Sequence, residues 1–235
     1  LLVAVALALT NYATGQKLPV GVDFFGKLRS ISSLQEKDGN LFFLLKQADL
    51  EQGKYISNLY QLKADGNTVL LTTGNDINWF SLQGDDIILR QSGKDETIFK
   101  RLSNTYGEAL EWLRLPYRVQ EAAFIAPDYF FFTAQYRLKQ ADNSNTDNYR
   151  IFEELPFWSN GRGDINGLRT VLYQYDKGNI TLLSDTLASV SELALSPDKQ
   201  RLGYVLRKHS NKICPDDKLQ VLNTVSLDTK TWSVA

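Results

Sequence analysis

Four times along this chain, a turn carrying Asp, Gly or Pro runs into a stretch of branched and aromatic residues. That recurrence limits the fold more than any single motif, because internal repeats define an architecture before local chemistry does. The copies are "SLQEKDGNLFFLL" (33 to 45), "SLQGDDIILR" (81 to 90), "IAPDYFFFTAQY" (125 to 136) and "LSPDKQRLGYVLR" (195 to 207). The turn residues supply the backbone preferences of a tight reversal, and the runs have strand composition. Continuous apolar runs such as Leu41-Phe42-Phe43-Leu44-Leu45 predict strands buried on both faces.

Each copy leads into a second shared unit, a hairpin around a polar turn. These are "NLYQLKADGNTVLLT" (58 to 72), "TIFKRLSNTYGEALEWL" (97 to 113), "VLYQYDKGNITLLS" (171 to 184) and "LQVLNTVSLDTKTWS" (219 to 233). Asp65-Gly66 and Lys177-Gly178 are good hairpin turns between alternating residues. "YGEALEWLRL" would pass for a short helix in isolation, but the repeat register makes it an outer strand. The turns fall near 38, 84, 127 and 197, so the spacings are roughly 46, 43 and 70 residues, the last including a polar insertion at 137–150. A period near 40 to 50 with four strands per unit predicts an all-β fold, a partial β-propeller of about four blades, each a four-stranded antiparallel sheet. A β-sandwich, the competing all-β fold, predicts no recurring turn-plus-hairpin unit.

The 235 residues and 43% hydrophobic content allow a sizeable core. A formal net charge of -1 gives no electrostatic case for nucleic acid or an anionic membrane surface. The single cysteine, Cys214, excludes an intrachain disulfide and a multi-cysteine zinc site, and the single histidine, His209, excludes multi-histidine metal centres. "LLVAVALALTNYATGQ" is too short to span a bilayer, so no membrane span is expected. Residues 1–15 have the character of a truncated signal peptide, with Ala13 and Gly15 as the small residues ahead of Gln16. A buried first strand is the structural alternative. Export to a periplasmic or extracellular location follows from the signal, cytoplasmic residence from its absence. The domain assignment is therefore 1–15 signal and 16–235 the N-terminal part of a propeller, with the ending "TKTWSVA" directly after an outer-strand motif pointing to a longer parent protein.

The residues also resemble a known family. "LSPDKQRLGYV" is similar to the blade signature of prolyl oligopeptidase family propellers, a signature that Tol-system propellers share. "KQADLEQGKYISNLYQL" (46 to 62) and "EELPFWSNGRGDINGLRTVLYQYD" (153 to 176) resemble segments of the acylaminoacyl-peptidase and dipeptidyl-peptidase-like branch. Lys199 departs from the pattern, standing where the blade turn usually has glycine, and "IAPDYFFF" lacks that glycine too. The resemblance implies a propeller that gates a C-terminal α/β-hydrolase domain, whose Ser-Asp-His triad cleaves short peptides without metal or organic cofactor. Such a triad needs a serine on a G-x-S-x-G elbow, which this chain lacks, so the chain alone is expected to be inactive. The expected partners are a short peptide substrate and that hydrolase domain. The alternative is a non-enzymatic Tol-like propeller whose surface loops bind a protein.

No catalytic residue is assigned. Glu153 and Glu154 are the candidates for substrate binding, since dipeptidyl members of the broader family read a free amine with paired glutamates. Adjacent strand residues point to opposite faces, which favours solvated or interstrand charges unless the strand bulges. Asp142, Asn143, Asn145, Asp147 and Asn148 alternate like calcium ligands but lack the glycine and terminal glutamate of a calcium loop, so a polar insertion is expected and no metal. His209 and Cys214 share one loop with no orienting group. Trp79, Trp112, Trp158 and Trp232 fit blade packing better than base stacking. "PFWSNGRGDING" (156 to 167) leads into "LRTVLYQYD", which has strand composition, so it reads as an irregular inter-strand loop. That reading is preferred over a phosphate cradle, over a calcium loop, which would need more carboxylates than Asp164, and over an Arg162-Gly163-Asp164 adhesion tripeptide, which stays the minor alternative.

Overall fold

The computed structural model describes residues 21, 24–73, 77–93, 95–103, 108–138, 158–160, 163–208 and 217–233. The chain divides into two compact units at residues 76 and 77. The first opens on a single helical turn, α1 (Phe24–Lys27), and then forms one sheet of β1 (Arg29–Lys37), β2 (Asn40–Asp49), β3 (Lys54–Leu62) and β4 (Thr68–Leu70). These four pair antiparallel in sequence order. Asp38 and Gly39 join β1 to β2 with φ of 52° and 75°. Two successive positive φ values are what a twist-matched two-residue hairpin requires, and Asp-Gly supplies them at low cost. The Glu36 carboxylate accepts the Gly39 N–H at 2.8 Å and holds the turn. Of the Leu41–Leu45 run, Phe42 and Leu44 are buried with Leu59. The alternate side chains are only half-buried, with Phe43 stacked on Tyr60 at 5.8 Å.

The second unit holds three more four-stranded antiparallel sheets. One is β5 (Trp79–Gln83), β6 (Asp86–Ser92), β7 (Thr97–Ser103) and β8 (Ala109–Leu115). The next runs β9 (Val119–Ala126), β10 (Tyr129–Arg137), β13 (Leu168–Asp176) and β14 (Asn179–Leu182), with a two-residue hairpin, β11 (Trp158–Ser159) and β12 (Gly163–Asp164), between β10 and β13. The last is β15 (Ala188–Leu195), β16 (Arg201–Lys208), β17 (Asp217–Asn223) and β18 (Thr229–Ser233). In every sheet, spatial order follows chain order, so the first strand of each is an edge. The segment that resembles a helix, "YGEALEWLRL", contributes β8, paired to β7 through Lys100↔Glu111 and Phe99↔Leu113. Four such sheets in succession are the blades of a partial β-propeller.

Blade stacking explains why β10 is apolar on both faces. Phe130, Phe132 and Ala134 join Ile88, Phe99, Leu115, Val171 and Tyr173 in the core between the second and third sheets. Phe131, one residue out of phase, packs with Ala123, Leu172, Val190, Leu202, Tyr204 and Leu222 between the third and fourth. Successive strand residues point to opposite faces. A strand sandwiched between two neighbours therefore has no polar face to present, and "YFFFTA" satisfies both seams at once.

The Ser-Pro-Asp signature has a purely local role. Ser196 Oγ donates to Asp198 Oδ1 at 2.5 Å, Asp198 Oδ1 accepts the Gln200 N–H at 3.0 Å, and Ser196 Oγ accepts the Arg201 N–H at 3.0 Å. The hydrogen bond from Ser196 comes first, and with the Gln200 amide it holds the Asp198 carboxyl below its ordinary value. Lys199 occupies the left-handed region at φ 58°, which accounts for glycine being the usual residue there. Its Nζ donates to the Ile125 carbonyl at 2.9 Å and ties the turn to the neighbouring sheet.

Candidate functional site

In a propeller the first strands lie around the central axis, so polar side chains along β5, β9 and β15 form the natural candidate site. β15 packs against both β9 and β13. Two irregularities concentrate polar groups at this edge. Thr133 of β10 pairs with Glu121, but Ala134 pairs with Val119, so Gln120 is left out of the ladder. Ser191 pairs with Val205 and Ala194 with Gly203, so Glu192 and Leu193 are left out of theirs. Such bulges release backbone groups and re-aim side chains.

The released groups find partners across blades. Glu121 Oε1 accepts the Glu192 N–H at 3.1 Å, and Oε2 accepts the Leu193 N–H at 2.8 Å. On the other side, Arg90 of β6 donates through Nη1 to the Gln120 carbonyl and through Nε to Asn78 Oδ1 at 3.0 Å. Asn78 in turn donates to Ser92 Oγ at 3.0 Å. The Arg90 guanidinium lies over the Trp79 ring, 5.6 Å from its centroid. It is 8% exposed; burial pushes its pKa down to about 10, and the nearby Glu121 charge opposes that fall. Thr170 Oγ1 donates to Gln120 Oε1 at 3.4 Å, and the Thr170 N–H reaches Ser189 Oγ at 3.3 Å. Glu121 and Gln120 thus have their acceptors committed to neighbouring strands. The arrangement fixes strands in place and holds no free acid–base pair.

Glu153 and Glu154 lie outside the described residues, as do the 142–148 polar run, His209 and Cys214. Among the described residues no group of three or more His, Cys, Asp or Glu side chains could hold a metal ion. Trp79 and Trp112 pack into the blade core beside Phe124, at 5.9 and 6.2 Å. Trp158 does not. It is 61% exposed on β11, its ring covering Gly163, because the β11–β12 hairpin is an excursion outside the four-stranded sheets. The Trp232 side chain lies outside the described set. The segment ending in "GDING" leads directly into strand β13. Its Gly163 and Gly167 have φ of 74° and 65°, and the Gly167 carbonyl accepts the Leu138 N–H at 2.9 Å. Arg90 and Glu121 were missed by sequence reasoning. The one signal was an arginine closing the apolar run "DDIILR", where alternation calls for an apolar residue.

No protein-family model matches the chain, and no curated protein matches it. Solved structures do. An acylaminoacyl peptidase in complex with Z-Gly-Gly-Phe-chloromethyl ketone superposes with a TM-score of 0.64 at 13% identity, over 89% of this chain and 33% of that one. The acylaminoacyl peptidase of Pyrococcus horikoshii gives 0.62 at 13% identity, over 88% and 32%. A structure from an analysis of two prolyl endopeptidases gives 0.50 at 13%, over 88% and 30%. The chain spans about a third of the length of these proteins. At this identity the likeness shows the fold alone, a partial β-propeller.

Proposed function

We propose that this chain is the substrate-gating propeller region of a serine peptidase acting on short peptides, of the aminopeptidase or acylaminoacyl-peptidase kind. The catalytic α/β-hydrolase domain belongs to the rest of the parent protein. The observation that supports this is the superposition of 89% of the chain on a third of an acylaminoacyl peptidase in complex with a peptide chloromethyl ketone. The local segments at 46 to 62 and 153 to 176 support the same reading. The apolar stretch within residues 1–15 supports an exported location for the parent protein as part of this proposal.

The test uses the complete parent protein. It should take up a serine-directed covalent probe and hydrolyse short peptide anilides, while the 235-residue chain alone does neither. A parent protein that is unlabelled, cleaves nothing and instead captures a protein partner sinks the peptidase reading in favour of a Tol-like scaffold.

A further inference from the structure

We infer that Glu121 is a latch that fixes the spacing of the first strands of adjacent blades, and so acts as a positioning residue for the size limit on peptides entering the propeller. The size-limit clause rests on the peptidase reading; the latch itself does not.

The apolar seams cannot set this spacing alone, since hydrophobic contact is non-directional and tolerates sliding. Register at the first-strand edge comes from directed hydrogen bonds, and the bulges supply them. The 191–194 irregularity leaves the Glu192 and Leu193 N–H groups without a β16 partner, with Glu192 in the left-handed region at φ 60°. Both N–H groups are claimed by the two oxygens of one carboxylate, at 3.1 and 2.8 Å. Glu121 is itself pinned, its own N–H donating at 3.1 Å to the Oγ1 of Thr133, which is fully buried. The residue before it receives Arg90 from the second sheet. Two consecutive residues thus hold the sheets on either side. A carboxylate binding two amides makes charge-assisted hydrogen bonds, stronger than neutral ones.

The experiment is amide hydrogen–deuterium exchange on the full-length protein, wild type against Glu121→Ala and Glu121→Gln, together with kcat/KM for a long and a short peptide. In Glu121→Ala, exchange in 188–195 should rise on the order of tenfold, the equivalent of about 1.4 kcal/mol. Segments 130–136 and 171–175 should keep wild-type rates. Glu121→Gln should shift the same segment less, because its amide oxygen keeps one acceptor. The long-to-short kcat/KM ratio should rise in the same order. Unchanged exchange in 188–195, or an equal rise in all three segments, overturns the latch. If Glu121→Ala does not fold, Glu121→Gln decides alone by the same criteria. A local exchange rise with an unchanged size ratio overturns the specificity role. A wild type that cleaves no peptide refutes the peptidase reading instead, and exchange still judges the latch.

Discussion

Truncating β10 on alternate residues should damage opposite seams by similar amounts. Phe131 and Phe132 are both fully buried, one facing the fourth sheet and the other the second. Replacing a buried phenylalanine by alanine removes its transfer free energy and leaves a cavity, together costing about 3–5 kcal/mol. Phe132 belongs at the upper end, because it stacks on Tyr173 at 5.2 Å and meets Tyr117 at 6.0 Å. Among the described residues, Phe131 meets the Tyr129 ring at 5.6 Å, and the rest of its cluster is aliphatic apart from Tyr204. In a chain of this size each kcal/mol moves the thermal midpoint by about 2–4 °C, so each variant should melt about 6–20 °C lower. Calorimetry on the intact protein measures the loss, and hydrogen exchange locates it. Phe131→Ala should open amides of β15 and β16, and Phe132→Ala those of β6 and β7. A cost below about 1 kcal/mol at either site, or the same segments opening in both variants, would refute the two-seam account of β10.

Lys199 and Asp198 give two smaller tests in the same turn. Lys199→Val places a β-branched residue at φ 58° and should cost about 1–2 kcal/mol in chemical denaturation. Lys199→Gly relieves the backbone but loses the bond to Ile125, leaving stability within about 0.5 kcal/mol of wild type. Asp198 has its folded pKa depressed, by Ser196 first and then the Gln200 amide. A depressed carboxyl contributes stability above its unfolded pKa and loses it as pH falls through the folded value. Asp217, lowered by its hydrogen bonds from Arg207, acts in the same direction. Thermal midpoints should therefore fall as pH drops below about 4. Asp198→Asn, which keeps an acceptor oxygen, should flatten part of that slope; an unchanged slope would contradict the assignment.

The architecture was legible because propeller repeats expose their punctuation. Asp38-Gly39 and Lys177-Gly178 both adopt the paired positive φ of twist-matched hairpins, and that requirement is written in residue type. Register then decided a segment that propensity would have lost. "YGEALEWLRL" has helical composition, yet the cross-strand partners offered by β7 make it β8. Where the repeat gave no guidance, composition misled. Trp158 looked like the other tryptophans, but it sits on the two-stranded β11–β12 hairpin, outside the four-stranded sheets, and is exposed.

The first-strand hub was illegible for a different reason. Nothing in "RVQEAAFIA" marks Gln120 as bulged, because a bulge is a property of two strands and their register, not of one. Glu121 reads as an ordinary solvated strand charge until β15, some seventy residues later, is placed beside it with two amides unpaired. Arg90 shows the same dependence, since its cost of burial is tolerable only because Gln120 and Asn78 accept from it and Trp79 lies beneath it. Charges in a strand repeat therefore fall into two kinds. Some stay in water; others are drawn inward by a neighbour's irregularity and come to hold blades together. Only the pairing of strands distant in sequence separates the two, so residues that look alike in the chain, such as Glu111 on the surface and Glu121 at the hub, end with unrelated roles.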